Sequence, residues 1–89
     1  MSLQQIKDIL AEHNSEALLA DGFEDALIGV ADVFNRPPLA VYNRDKCLDI
    51  LMNRDGMTDE EAEEFFTYNV SGSWVGEHTP IYVTLWDKD

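Results

Sequence analysis

The string Arg54-Asp55-Gly56-Met57-Thr58-Asp59-Glu60-Glu61-Ala62-Glu63-Glu64-Phe65-Phe66 constrains the fold more than any other part of this chain. Gly56 stands where one helix needs a left-handed residue in order to stop, and Thr58 stands where the next needs a side-chain oxygen for its free N–H groups. Thr58-x-x-Glu61 is a capping box. Met57 before the cap is placed to staple onto Ala62 four positions into the helix. One helix therefore ends and another begins within three residues. Along the second helix Ala62, Phe65, Phe66 and Asn69 follow helical spacing, with both phenylalanines expected to face inward. Asp59, Glu60, Glu61, Glu63 and Glu64 fill the remaining arc and are expected to face water.

The same signals place the other elements. Ser2-x-x-Gln5 is a second capping box with Met1 positioned to staple onto Ile6, so a first helix starts at Ser2 and presents Leu3, Ile6, Ile9 and Leu10. Its end is less sharply marked: Ala17 to Ala20 reads either as a short continuation or as a separate turn before Asp21-Gly22. Ala26 to Phe34 is a nearly continuous apolar run with β-branched residues and Gly29, which favours a strand. Pro37 and Pro38 lack N–H groups and are expected to lie in a connector outside any ladder. Leu39 to Tyr42 then forms a second strand, antiparallel to the first. Asn43 caps the helix that Gly56 stops, with Cys47, Leu48, Leu51 and Met52 on one side. Thr79 to Trp86 supplies a third strand that begins with Pro80 near its first position.

Helix, strand, strand, helix, helix, strand defines an α+β fold: one domain over residues 1–89, with a small three-stranded, mainly antiparallel sheet and about three helices on one face. Tyr42, Tyr82, Thr84 and Trp86 are candidates for the uncovered face. A hydrophobic share of 45%, including four Phe, three Tyr and two Trp, is too high for a disordered chain. The single Cys47 excludes an internal disulfide and fits a reducing compartment. No basic leader and no run of roughly 20 apolar residues is present, so a soluble, cytoplasmic protein is expected.

Eighteen acidic against six basic residues leave a net charge of −12. Such a charge repels phosphate backbones and anionic membranes and suits a protein partner with a basic surface. Templates for catalysis do not fit. There is no Gly-x-Ser-x-Gly elbow, P-loop or dinucleotide fingerprint. Cys47 lies on the apolar side of its helix, away from the pattern of a nucleophile beside His13 or His78. An EF-hand register through Gly56 puts Leu51 and Ala62 at ligand positions. Glu60, Glu64, Glu77 and His78 are the best carboxylate-rich metal set, although spaced acids on a helix usually face water. Asp32, inside an apolar run, is the one acid with a hint of burial. No cofactor, no metal and no enzymatic activity are expected.

The five acids from Asp59 to Glu64 span about 9 Å of helix axis at 1.5 Å per residue. That charge density approaches the one charge per ~1.7 Å of duplex DNA. One expectation is that the face imitates a phosphate track for a basic partner, with Asp45, Asp49 and Asp55 on the adjoining helix available to extend it. The simpler role of Asp59, Glu60 and Glu61 is to complement the positive end of the helix dipole. Trp74, in a Gly-flanked loop, is either a core anchor or an exposed interface anchor.

From Asp21 to about Val83 the chain resembles a family of small uncharacterised proteins of tailed phages and prophages. The resemblance runs through Asp21-Gly22-Phe23 with Gly29-Val30, and Pro37-Pro38 leading to Val41-Tyr42. It continues in Asp55-Gly56-Met57-Thr58-x-Glu60-Glu61-Ala62 and in Phe66-x-x-Asn69-Val70-x-Gly72 through Gly76-Glu77-x-Thr79-Pro80. It implies a phage or prophage origin and expression in the cytoplasm of a bacterial host, and it carries no functional residues. Charge, clustered acids and resemblance together point to a binding module that modulates a host nucleic-acid-handling or defence protein. Its binding residues would be Asp59, Glu60, Glu61, Glu63, Glu64 and Trp74. The alternative is a virion structural or accessory protein.

Overall fold

The computed structural model describes residues 2–72 and 76–86, so Trp74 and the Met1 staple lie outside the described residues. Chain order is α1 (Leu3–His13), β1 (Leu27–Val33), β2 (Arg36–Asn43), α2 (Arg44–Asp55), α3 (Asp59–Phe66) and β3 (Ile81–Val83). A 3-10 turn at Glu24–Ala26 leads into β1, and a π-helical turn at Thr67–Ser71 follows α3. The architecture is α+β, as expected from the sequence.

Each helix begins where a side-chain oxygen meets its free N–H groups. Ser2 and Thr58 form complete capping boxes with Gln5 and Glu61. Asn43 Oδ1 accepts from the Lys46 N–H. At the end of α2, Gly56 turns left-handed at φ 70° and returns its N–H to the Leu51 carbonyl. A Cβ there would oppose this conformation, which is why glycine holds the position.

The sheet order is β1-β2-β3, with β1 antiparallel to β2 and β2 parallel to β3. The crossover through α2 and α3 is what permits the parallel pair. Two expectations about strands are corrected. Pro37 and Pro38 lie within β2: the register passes from Val33↔Arg36 to Ala31↔Leu39, so the two prolines oppose Asp32 alone in a bulge. A bulge asks for fewer ladder N–H groups, so two residues without one are tolerated there. The connector shrinks to Phe34 and Asn35, and Asn35 takes a positive φ of 58°. The third strand is Ile81–Val83, with Thr84 to Trp86 exposed beyond it.

One core cluster joins Ile6 and Leu10 of α1, Ala40 and Tyr42 of β2, Cys47, Leu48 and Leu51 of α2, and Ala62 and Phe66 of α3. Each large apolar side chain buried there contributes roughly 1.5–3 kcal/mol. Tyr42 belongs to this core and not to an open face. Its ring is 1% exposed, and its hydroxyl accepts the Ala20 N–H at 2.8 Å. The Tyr82 ring stacks beside it with centroids 5.5 Å apart. By strand alternation Ala31, Leu39, Val41 and Ile81 occupy the opposite face. Asp32 is exposed on β1, an edge strand bulged at both ends of its register. A charge and bulges on an edge discourage pairing with another strand.

Candidate protein-binding face

The candidate face is built on α3, and its orientation follows from what the helix buries. Ala62 and Phe66 are the buried residues of α3. The Phe66 ring meets Tyr82 edge-on, at 5.2 Å and 89°. The Arg44 guanidinium lies 5.4 Å from the Phe66 centroid and reaches Glu63 at 2.6 Å. These contacts fix the helix about its axis. The sequence expectation that both phenylalanines face inward is half right: Phe65 is 39% exposed. Adjacent residues on a helix are about 100° apart, so a helix with one narrow buried stripe cannot bury both.

All five acids of α3 are exposed, but they are not equivalent. Glu61 closes the capping box: its carboxylate accepts the Thr58 N–H at 2.9 Å, and the hydrogen bonds from Thr58 hold it below the usual carboxylate range. Glu63 is paired with Arg44, whose own pKa is raised by that hydrogen bond. Asp59, Glu60 and Glu64 make no ion pair among the described residues, and their charge is open to a partner. The proposed extension along α2 is weaker than the sequence suggested. Asp55 is held by Arg54 through two 3.0 Å contacts, and Asp45 is half-buried and partnered. Asp49 remains exposed.

The structure adds an aromatic component that sequence reasoning missed. Tyr68 is 75% exposed. Glu61, Glu64, Phe65 and Tyr68 line one shallow depression with Met57 and Asn69. Glu60, Glu63, Glu64 and Tyr68 line a neighbouring one with Thr67. Tyr68 therefore stands between carboxylates. The signal was available, since Glu60, Glu64 and Tyr68 are spaced i, i+4, i+8 along one helix ridge. It was obscured by the π-helical turn that carries Tyr68, a distortion often associated with function. Gly72 closes that turn because a Cβ there would collide with the Thr67 carbonyl oxygen.

A larger cleft of about 480 Å³ is lined mainly by Leu18, Leu19, Phe23, Val70, Pro80 and Tyr82. Burial pushes the Tyr82 phenol up to about 12, so it stays neutral. Neither Asp32 nor His78 lines this cleft. Cys47 is fully buried and its thiol is pushed up to about 11 by that burial, the state of a core thiol rather than a nucleophile. Among the described residues, no group of three or more His, Cys, Asp or Glu is placed to hold a metal ion, so Glu60, Glu64, Glu77 and His78 do not converge. No helix of the described chain is long and apolar enough to cross a membrane.

Compared with family models, with curated proteins and with solved structures, the chain matches none.

Proposed function

We propose that this chain is a small acidic protein-binding module of phage or prophage type. In this reading it works by contact, not catalysis, in the cytoplasm of a bacterial host. Its binding face is α3 with the turn that follows it, Asp59, Glu60 and Glu64 supplying charge and Phe65 and Tyr68 supplying aromatic surface. The partner is a protein with a basic surface, of the kind that handles nucleic acid or defends the host.

The observation that supports this reading most directly is the juxtaposition of carboxylates that make no ion pair among the described residues with the exposed rings of Phe65 on α3 and Tyr68 in the turn after it. Carboxylates attract a lysine- or arginine-rich surface and suppress wrong partners. Exposed aromatic rings add a contact that arginine in particular favours, because its guanidinium stacks on a ring while its N–H groups meet carboxylate oxygens. Arg44 shows this within the chain, over Phe66 and against Glu63.

The test is capture from a bacterial lysate on the immobilised protein, followed by elution at about 1 M salt, where the screening length falls to ~3 Å. The reading expects a basic protein held at low salt and released at high salt. A partner retained equally in both would remove the electrostatic contact from the account.

A further inference from the structure

We propose that Asn14 and His78 form a proton-sensitive clasp that joins the end of α1 to the chain entering β3, closed while the His78 ring is neutral and opened when it is protonated.

Asn14 is the C-cap of α1 and is buried at 7% exposure. Its Nδ2 donates to the Pro38 carbonyl at 2.8 Å and lies 3.2 Å from His78 Nδ1, while its Oδ1 accepts the Glu16 N–H at 3.2 Å. A carboxamide has two N–H donors and one acceptor oxygen. Reversing it would set Oδ1 against the Pro38 oxygen and Nδ2 against the Glu16 N–H, losing both bonds. The amide orientation is therefore fixed, and His78 Nδ1 must be the acceptor. The ring hydrogen then sits on Nε2, directed at the Glu16 carboxylate 3.5 Å away.

Adding a proton to Nδ1 turns this acceptor into a donor that faces another donor. Among the described residues Glu16 is the charged group in contact with the ring; Glu77, next in the chain, is exposed. Glu16 favours the charged ring, but its side chain is 78% exposed and its pull is screened by water. The clash with the buried Asn14 amide is not screened in this way. Protonation therefore frees the ring from Asn14 and leaves it beside Glu16. The His78 carbonyl also accepts the Leu18 N–H at 3.1 Å, so the same event loosens the bridge between Leu18 and the Thr79-Pro80 segment. Leu18, Thr79 and Pro80 are on the walls of the apolar cleft, and its opening is thereby tied to proton uptake.

The experiment is amide hydrogen exchange with NMR on the full chain at about pH 7.5 and pH 5.5, the range in which histidine changes charge, corrected for intrinsic exchange. Protection of the Leu18 amide should fall roughly tenfold at the lower pH, the scale of one lost buried hydrogen bond. His78→Gln offers Asn14 an acceptor that takes up no proton, and should abolish the fall. His13→Gln, at the exposed second histidine, should leave it in place. Equal protection at both pH values in the unaltered protein, or an undiminished fall in His78→Gln, would overturn the proposal. Should His78→Gln not fold, the ring signals decide: the Leu18 amide shift must track the titration of His78, and tracking His13 instead would overturn it.

Discussion

The α2–α3 corner and the α1–β3 seam hold the same molecule together by different means. At the corner, Gly56, Thr58 and Glu61 settle the backbone within a few residues of one another, and the packing of Phe66 follows. At the seam, residues 14–20 have no regular structure and are held by contacts across the chain: Asn14 to Pro38 and His78, Leu18 to His78, and Ala20 to Tyr42. The corner is specified by neighbours in sequence, and the seam by neighbours in space. The two regions meet at Asn69, which lines the depression beside Glu64 and Tyr68 and also the cleft walled by Leu18, Thr79 and Pro80.

The largest test of this contrast lies in the two adjacent phenylalanines. Phe66→Ala should cost about 3–5 kcal/mol in chemical denaturation, as a large buried side chain lost from a packed core. Phe65→Ala should cost only about 1–2 kcal/mol, because 39% of Phe65 is already exposed. Equal costs would mean that α3 is rotated from the orientation described.

Asn14→Ala probes the seam and should cost about 2–3 kcal/mol, since it strands the Pro38 carbonyl and the Glu16 N–H along with His78. Its effect should be visible as lost exchange protection around Leu18, with α3 amides losing no more than the global change in stability. Alkaline pH provides a third probe. The buried Tyr82 ring favours its neutral form, so its contribution is complete below pH 10 and is lost as pH rises through about 12. Cys47, whose thiol burial raises from 9 to about 11, and Tyr42, raised likewise, lose stabilisation over an overlapping range. Stability followed by denaturant midpoints should therefore begin to fall near pH 9 and continue to about pH 12. Tyr82→Phe should reduce that fall. The smallest structural effect is expected at the corner cap, where Thr58→Ala should cost about 1 kcal/mol.

How much of this was legible in the sequence follows the same division. The helix starts at Ser2, Asn43 and Thr58 and the stop at Gly56 were readable, because caps are local chemistry. The tandem prolines were not placed correctly, because whether Pro37 and Pro38 break a ladder depends on the strand opposite, where Asp32 alone faces them. Tyr42 reads as a candidate for an open face because nothing nearby in sequence announces that its hydroxyl is matched by the N–H of Ala20. In the candidate site the five acids were legible as exposed. That Glu63 is neutralised by Arg44 and that Tyr68 joins the face required the packing of α2 on α3 and the π-helical turn. The orientation of His78 depends on Asn14, 64 residues away.

The most direct measurement of the central claim compares three baits in quantitative capture from bacterial lysate. One is the unaltered protein. The second carries Asp59→Asn, Glu60→Gln and Glu64→Gln, and the third carries Glu12→Gln, Asp25→Asn and Asp32→Asn. Both variants lose three exposed charges; the third should keep its stability to within about 0.5 kcal/mol, and the second gives up about 0.6–2 kcal/mol with the two charges at the positive end of α3. The account predicts that the basic partner is lost from the α3 bait and retained by the third. Equal loss from both would show that net charge alone attracts it, and equal retention would show that α3 is not the binding face.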